Sequence, residues 1–576
     1  MIRRTAALAV LCLSGSLDAA TRLGEYALVL EDAPAAAQVT ARSELQLSAA
    51  SPARLRLRAR QRAVAAQLLT RQVRISGTAE VLVNAIFVYA TSQQAANLRS
   101  IPGVKRVEYL PPLKRHLDRA ADLVRAPAAW NALGGVGSAG TGTRIGIIDS
   151  GIDNTHPAFQ DSSLTIPAGF PKGRPEDLAY TNRKIIVARS YVSQLPLADL
   201  QAANSRPDDA TPRDRVGHGT AVAMIAAGVR NTGPAATITG IAPKAYLGNY
   251  KVYGTPGVND STSTRVLIQA LEDALSDGMD VVTLSSGSPA GYGPLARCPD
   301  SAGRDQACDL RADAVENASR AGMAVVVSAG NDGDAGIVFP SLSTIHSPGT
   351  AAAAITVGAS TNAHIYFASV RVEGEGVPAN LQRINALFGD GPRPGAPFAA
   401  PLRDVQQLQD DGFACSPLGN GSLAGAIALI KRGNCGFSIK TANAQRAGAV
   451  AVILYQIDNV NTLFNPANLR ETGIPTLLIG STSGVALKSF LAANPDRPVI
   501  LDPSLQAVSS NFDTVADFTS RGPAIGDSSR GEASLKPELV AVGTDIYTAT
   551  QRLDPSGELY DASGYTATQG TSFAVP

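Results

Sequence analysis

Three side chains whose chemistry could cleave an acyl bond occur along this chain in the order Asp, His, Ser. Asp149 follows an apolar stretch, and a carboxylate at the carboxyl end of a strand can orient a histidine and stabilise its charged form. His218 stands between two glycines, which leave its imidazole accessible for proton transfer. Ser572 could act as a nucleophile if a base activated its hydroxyl. Each residue alone is more often structural, so the hypothesis depends on the three together.

The elements that must position these residues alternate between strands and helices. Residues 144–148 have the pattern of a short apolar strand directly before Asp149. A helix that stops at Gly278 precedes a strand over residues 279–284, and another helix precedes a strand over residues 323–328. This alternation predicts an α/β fold with a doubly wound, mostly parallel sheet. Active sites of such sheets gather outside the carboxyl ends of the strands.

Several motifs make the chain resemble the subtilisin family, the subtilases. They are Asp149-Ser150-Gly151-Ile152-Asp153, Gly217-His218-Gly219-Thr220, Ser328-Ala329-Gly330-Asn331, residues 517–523 with 535–543, and Gly570-Thr571-Ser572-Phe573-Ala574-Val575-Pro576. The resemblance covers most of residues 119–361 and 513–576, and it departs from the family at Val542, where proline is usual. It implies a subtilisin-like serine endopeptidase that hydrolyses peptide bonds in proteins through an acyl-enzyme and requires no cofactor for its chemistry.

The resemblance also implies a role for each residue of the site. Ser572 is implied as the nucleophile, His218 as the general base and acid, and Asp149 as the group that holds the histidine tautomer. Asn331 is implied as the side-chain donor to the oxyanion. The substrate cleft would be lined by six small residues, Ser285, Ser286, Gly287, Ser328, Ala329 and Gly330. A peptide would add there as a strand to exposed backbone.

We expect the N-terminal part of the chain to be removed in two steps. Residues 1–20 combine two arginines, a short apolar run and small residues, which indicates a signal peptide and secretion to the extracellular space or periplasm. Residues 21–115 resemble the inhibitory propeptide of the family, a small α+β domain that acts as an intramolecular inhibitor. We expect the cut between about Leu110 and Arg119, and a permanently attached N-terminal domain is the alternative.

Residues 370–508 interrupt the catalytic domain, which the resemblance places at residues 119–576. The interruption has its own strands and is too long for a loop, which indicates an inserted domain. It resembles a β-rich protease-associated (PA) domain on residues 425–437, 444–452 and 474–476. Such domains are thought to modulate substrate access or protein contact.

The chain has five cysteines, of which Cys12 lies in the predicted signal peptide. The other four form two couples that are close in sequence, Cys298 with Cys308 and Cys415 with Cys435. No C-x-x-C occurs, so zinc and thioredoxin-like sites lack their main support. In an oxidising compartment we favour two disulfides, with two pairs of buried thiols as the alternative.

The composition disfavours several other classes of protein. A net charge of +1 leaves no electrostatic footprint for nucleic acid, and no later segment is apolar for long enough to span a membrane. The absence of G-x-S-x-G and H-E-x-x-H disfavours an α/β-hydrolase and one type of metallopeptidase. Structural calcium is common in the family, but the acidic residues form no readable loop, so metal stays unknown. The expected partners are protein or peptide substrates and the propeptide.

Only four residues follow Ser572, whereas the family continues with a long buried helix that begins at the nucleophile. Losing four or five buried apolar side chains, at roughly 1.5–3 kcal/mol each, would remove about 6–15 kcal/mol, which rivals the whole stability of a domain. We therefore expect a fragment, or a truncated product, of an active peptidase. The alternative is an inactive subtilase fragment that acts only as a PA-domain binding module.

Overall fold

The chain divides into two compact units, Met1–Arg115 and His116–Pro576. The predicted signal peptide and the predicted processing region, residues 111–119, lie outside the described residues. The computed structural model describes residues 23–33, 52–79, 84–110, 120–195, 200–201, 207–293, 297–299, 305–334, 341–495, 497–525 and 534–576.

The described part of the first unit is a four-stranded antiparallel sheet with two helices. Its elements are β1 (Gly24–Leu30), α1 (Pro52–Thr70), β2 (Arg74–Ala79), β3 (Ala85–Ala90), α2 (Ser92–Leu98) and β4 (Val104–Leu110). The strand order is β2–β3–β1–β4. Leu28, Ile86 and Val88 of the central strands pack with Val64 and Leu68 of α1 into one buried core. This is the small α+β fold predicted for this part of the chain.

Eight strands form the main sheet of the second unit, and all of its strand pairs are parallel. Seven strands come first along the chain: β5 (Arg144–Asp149), β6 (Lys172–Gly173), β7 (Ile185–Ser190), β8 (Tyr246–Lys251), β9 (Val281–Leu284), β10 (Ala324–Ser328) and β11 (Ile355–Ser360). The eighth, β19 (Leu539–Val542), comes after the insert. Across the sheet the order is β19–β11–β10–β9–β5–β8–β7–β6.

Both faces of this sheet are covered by helices, because successive residues of a strand point to opposite faces. Ile147 packs in the core that contains helix α5, whereas Ile148 packs in the core that contains α6 and α7. The predicted doubly wound α/β fold is therefore confirmed. The helices of this part are α3 (Ala120–Leu123), α4 (Ala126–Ala132), α5 (His218–Ala227), α6 (Thr264–Asp277) and α7 (Leu310–Arg320).

The insert folds into a closed barrel with its own core. Its strands are β12 (His364–Val372), β13 (Ile384–Phe388), β14 (Phe398–Asp404), β15 (Ile427–Lys431), β16 (Ala451–Tyr455), β17 (Thr476–Ile479) and β18 (Pro498–Ser509). They close in the order β12–β13–β17–β16–β15–β14–β18, with helices α8 (Ala379–Gln382), α9 (Phe437–Arg446) and α10 (Ser481–Ala493) between them in sequence. The prediction that the insert has its own strands is therefore confirmed.

Shorter elements complete the second unit. After β19 come the antiparallel pair β20 (Ile546–Ala549) and β21 (Tyr565–Thr568), and then the short helix α11 (Thr571–Ala574). Three small antiparallel pairs join Asn231–Thr232 to Thr237–Ile238, Ser288–Pro289 to His346–Ser347, and Arg297–Pro299 to Asp305–Ala307. Among the helices that the structure describes, none is both long and apolar enough to cross a membrane.

One predicted disulfide is present in the barrel, between Cys415 and Cys435. Cys308 is disulfide-bonded as well. The side chain of Cys298, its predicted partner, lies outside the described part of the chain, so that pairing stays a prediction.

Candidate active site

Asp149 and His218 meet at the carboxyl end of β5. Asp149 is the last residue of that strand and is buried, and His218 is the first residue of α5. Nδ1 of His218 lies 2.8 Å from Oδ1 and 3.0 Å from Oδ2 of Asp149. The carboxylate therefore fixes the histidine with its proton on Nδ1, which leaves Nε2 as the nitrogen available for proton transfer.

The two glycines beside His218 are required by close packing. A Cβ on Gly217 would stand 2.4 Å from Oγ1 of Thr550, and Gly217 has a φ of 97°, which favours glycine. A Cβ on Gly219 would stand 2.2 Å from the carbonyl oxygen of Gly151, in the turn after Asp149. Helix α5 can thus approach the aspartate turn closely enough for the two side chains to bond.

Asp214, which the sequence analysis did not single out, anchors the turn that leads into α5. Its side chain is fully buried, and burial raises the pKa of its carboxyl above the ordinary value. It accepts five hydrogen bonds, from Ser150 Oγ (3.0 Å), Val216 N–H (2.9 Å), Gly217 N–H (2.8 Å), Thr220 N–H (2.9 Å) and Thr220 Oγ1 (2.6 Å). One carboxylate therefore ties together the turn after Asp149 and the start of the helix that carries His218.

Ser572 lies in the first turn of α11 with its side chain turned to the end of β9. Its Oγ donates to the carbonyl oxygen of Ser285 (3.2 Å), and Ser285 Oγ donates to the carbonyl oxygen of Ser572 (3.0 Å). The next residue, Phe573, packs its ring against the imidazole of His218, with the ring centres 5.0 Å apart. Among the residues that the structure describes, Ser572 Oγ forms no hydrogen bond with His218. Such bonds often shorten only when substrate binds.

Asn331 lies beside the nucleophile turn with its amide oriented. Its Oδ1 accepts hydrogen bonds from the N–H (3.0 Å) and the hydroxyl (2.9 Å) of Thr571. Because the oxygen is occupied, Nδ2 is left as a donor. It lies next to Gly570, 3.6 Å from the point where a Cβ on that glycine would stand. The N–H of Ser572 belongs to the first turn of α11, so it has no partner within the helix. The arrangement provides two N–H donors near the serine.

The six predicted cleft residues form two walls, residues 285–287 after β9 and residues 328–330 around the end of β10. In the first wall Ser286 Oγ accepts a hydrogen bond from the hydroxyl of Tyr253 (2.9 Å), and Gly287 is exposed. In the second wall Ser328 is the last residue of β10, and the N–H and carbonyl of Ala329 are bonded to Val357 and His346. The main-chain groups of Ala329 are therefore already paired within the fold.

A cleft of about 300 Å³ opens beside the histidine. Sequence reasoning identified only part of its lining, because the other residues come from distant loops and carry no motif. Among them are Asp260, Glu558 and, from the barrel, Arg470. The full lining is Asp149, Ser150, Val216, His218, Tyr253, Pro256, Asp260, Ser285, Arg470 and Glu558.

The charge around His218 favours its protonated form. Burial alone lowers the pKa of His218, but the charge and the hydrogen bond of Asp149, with contributions from Glu558 and Asp214, raise it to about 9. An imidazolium formed by proton abstraction would thus be stabilised where it arises. In the described part of the chain no group of three or more His, Cys, Asp or Glu side chains converges on a metal site, and metal binding stays unknown.

Comparison with known proteins gives a consistent family. A model described as the subtilase family, peptidase S8, matches residues 140–576. The PIII-type proteinase of Lactococcus lactis subsp. cremoris (strain SK11) is 29% identical over 509 residues, which is 83% of this chain and 23% of the proteinase. The minor extracellular protease Vpr of Bacillus subtilis (strain 168) is 27% identical over 468 residues, which is 80% of this chain and 47% of Vpr. This chain thus spans about a quarter and about half of these two relatives.

A solved structure is similar in part. The psychrophilic subtilisin-like protease Apa1 from the Antarctic psychrotroph Pseudoalteromonas sp. AS-11 aligns with 78% of this chain and 84% of its own. The sequence identity is 17% and the TM-score is 0.34.

Proposed function

The chain belongs to the subtilase family, and from that premise we propose that it is a secreted serine endopeptidase that hydrolyses peptide bonds in proteins. The observation that carries the proposal is the 2.8 Å contact between Nδ1 of His218 and Oδ1 of Asp149. Phe573, the residue directly after Ser572, packs on the ring of the same histidine. Asp, His and Ser side chains in this relation are the constellation of acyl transfer.

In the proposed mechanism Ser572 is the nucleophile. Its Oγ turns from the Ser285 carbonyl to Nε2 of His218 and attacks the carbonyl carbon of the scissile bond as the histidine takes its proton. The imidazolium is held by Asp149 and gives the proton to the leaving amine as the acyl-enzyme forms. Water, activated by the same histidine, then releases the acyl group.

The developing oxyanion is stabilised in the proposal by Asn331 Nδ2 and by the N–H of Ser572. Both donors are fixed before the reaction, because Asn331 is held by Thr571 and the N–H belongs to a helix turn. A donor of this kind is worth roughly 3–4 kcal/mol of transition-state stabilisation, a figure that itself comes from a subtilisin.

We extend the proposal to export and maturation. Residues 1–20 act as a signal peptide, residues 21–115 act as an inhibitory propeptide that is cut between about Leu110 and Arg119, and residues 370–508 act as a PA domain. The barrel and its disulfide support the last role and an oxidising compartment, since disulfides persist there. The relative Vpr is named an extracellular protease, which agrees with export.

Labelling with a fluorophosphonate tests the proposed chemistry directly. The purified protein should be labelled and should hydrolyse unstructured peptides, and Ser572→Ala should abolish both. Ser556→Ala is the matched control, because Ser556 is exposed in a loop and should leave labelling intact. A folded protein without label would contradict the proposal and favour a binding role for the barrel.

A further inference from the structure

His346 is a histidine that the proposed triad does not use, and it lies against both walls of the cleft. Its N–H donates to the carbonyl oxygen of Ala329 (2.9 Å) in the second wall. Its two-residue strand, His346–Ser347, pairs antiparallel with Ser288–Pro289, directly after the first wall. The side chain is largely buried, with 16% of its surface exposed. The backbone of His346 therefore connects the segments that follow β9 and β10.

The ring and the Cβ of His346 fill the space behind two wall glycines. A Cβ on Gly330 would stand 2.6 Å from Cδ2 of His346, and a Cβ on Gly287 would stand 2.9 Å from its Cβ. Gly330 also has a φ of 106°, a backbone conformation that favours glycine. Both glycines are thus required by packing on His346, and not only by room for a substrate.

The same ring contacts the turn that carries Asn331. Nε2 of His346 lies 2.6 Å from Oδ2 of Asp332, the residue directly after Asn331. The turn has a second partner in Ser520, whose N–H donates to the Gly330 carbonyl (2.9 Å) and whose Oγ accepts from the N–H of Asp332 (3.1 Å). The position of the Asn331 backbone is therefore fixed by the two residues on either side of it.

We propose that His346 is a positioning residue for catalysis, which holds the Asn331 amide at the oxyanion through its contact with Asp332. The inference rests on the proposed endopeptidase function, because Asn331 stabilises charge only in that reaction. A misplacement of about 1 Å can reduce a rate by about 100-fold. The charge of the oxyanion develops in the transition state and the tetrahedral intermediate and is absent from bound substrate, so loss of His346 lowers kcat and leaves KM almost unchanged.

Kinetics of point variants test this role. His346→Ala and Asp332→Asn should lower kcat for a peptide substrate, His346→Ala by about 10- to 100-fold. Asp334→Asn is the matched control, because Asp334 is an exposed acid two residues further along the same segment, and its kcat should stay within about twofold of the parent. His346→Gln should recover most of the rate, since its amide can still donate to Asp332.

A double-variant cycle distinguishes positioning from a general loss of structure. In protein that already carries Asn331→Ala, His346→Ala should cause no further loss, because the group that it positions is gone. Independent losses that multiply in the double variant would overturn the proposal. An increase in KM with unchanged kcat would overturn it as well.

Hydrogen exchange gives a readout that does not depend on turnover. In His346→Ala the amides of residues 329–332 should exchange faster, while those of β9 and β10 stay protected. Faster exchange throughout the second unit would show a merely structural role. If the parent protein neither cleaves peptides nor reacts with a fluorophosphonate, the endopeptidase function fails and this role fails with it. A fully active His346→Ala protein would refute only the positioning role.

Discussion

Oδ1 of Asn331 accepts hydrogen bonds from both the N–H (3.0 Å) and the hydroxyl (2.9 Å) of Thr571. The two residues are 240 positions apart in the chain. Since Thr571 directly precedes Ser572, these bonds couple the place of the nucleophile to the direction of the amide. The proposed oxyanion donor and the proposed nucleophile are thus set by one shared contact.

Thr571→Val should weaken that coupling without removing it. The variant loses the hydrogen bond from the hydroxyl to Asn331 Oδ1 and keeps the one from the backbone N–H. The lost bond contributes about 1 kcal/mol to the orientation of the amide, so kcat should fall about fivefold with little change in KM. Thr571→Ser keeps a hydroxyl and should behave like the parent protein. Steady-state kinetics on one peptide would check both, and an unchanged kcat in Thr571→Val would contradict the coupling.

The pH dependence of kcat/KM should follow His218. Because Asp149 raises the pKa of His218 to about 9 despite burial, the neutral imidazole that can accept a proton reaches half of its full population only near that pH. The rate should therefore rise through neutral pH, pass its half-maximum near pH 9 and level off above it, and a plateau that begins at pH 6–7 would be contrary to the contact. The contribution of His218 to folding stability changes with pH in the opposite direction. A raised histidine pKa stabilises the folded state below about pH 6.5, and this contribution is lost as pH rises through 9.

Glu558→Gln should shift that profile towards lower pH. Glu558 lines the cleft and is one of the charges that raise the pKa of His218, after the larger effects of burial and Asp149. Glu375→Gln is the matched control, since Glu375 is an exposed acid in the barrel. Titration of kcat/KM at low ionic strength would show the difference most clearly, because salt screens exposed charges. Identical profiles for the two variants would exclude an influence of Glu558.

Asp214→Ala should be strongly destabilising. The substitution leaves several buried donors without an acceptor, among them the N–H groups of Gly217 and Thr220, at about 1–3 kcal/mol for each unsatisfied group. Urea unfolding of the second unit would measure the loss. Asp513→Ala is a suitable control, because Asp513 is exposed in a loop. A loss below about 1 kcal/mol would argue against an anchoring role.

Reduction of the Cys415–Cys435 disulfide should loosen the barrel. The bond closes a loop of 20 residues, for which the chain-entropy model gives about 3 kcal/mol. The double variant Cys415→Ser/Cys435→Ser should unfold its barrel at lower denaturant concentration, and Ser438→Ala nearby should not. Limited proteolysis between residues 405 and 440, followed by mass spectrometry, would locate the change. Equal resistance of both proteins would contradict the prediction.

The positions of strands and helices were predictable because they depend on local patterns. The stop glycine predicted for α6 is where the structure has it, at Gly278 with a φ of 86°. At the other end of the helix Ser263 Oγ accepts from Val266 N–H (3.3 Å). The order of strands in the closed barrel was not predictable. It depends on which strand edges pair, and no local pattern encodes that pairing.

The surroundings of the site were harder to predict than the three residues proposed as catalytic. Asp214 carries a weak signal, an acid four residues before a glycine-flanked histidine, but its partners lie in two segments of the chain, at Ser150 and within residues 216–220. His346 lacks the glycine neighbours that distinguish His218 in the sequence. Its role is inferred from Gly287 and Gly330, which are distant from it in sequence. The small size of these two residues could serve either room for a substrate or packing on His346, and sequence alone does not distinguish the two.

The barrel leaves and re-enters the catalytic fold at one place. Thr361 N–H donates to the carbonyl oxygen of Thr514 (2.8 Å), and His364 pairs with Ser509 in antiparallel register. Because the two ends of the insert lie side by side, the insert connects β11 to β19 in the way that a two-strand hairpin would, whatever its length. Closing a longer loop adds little entropy cost once its ends are joined. The barrel could therefore be replaced by a tight turn or by another domain while the register between β11 and β19 is preserved.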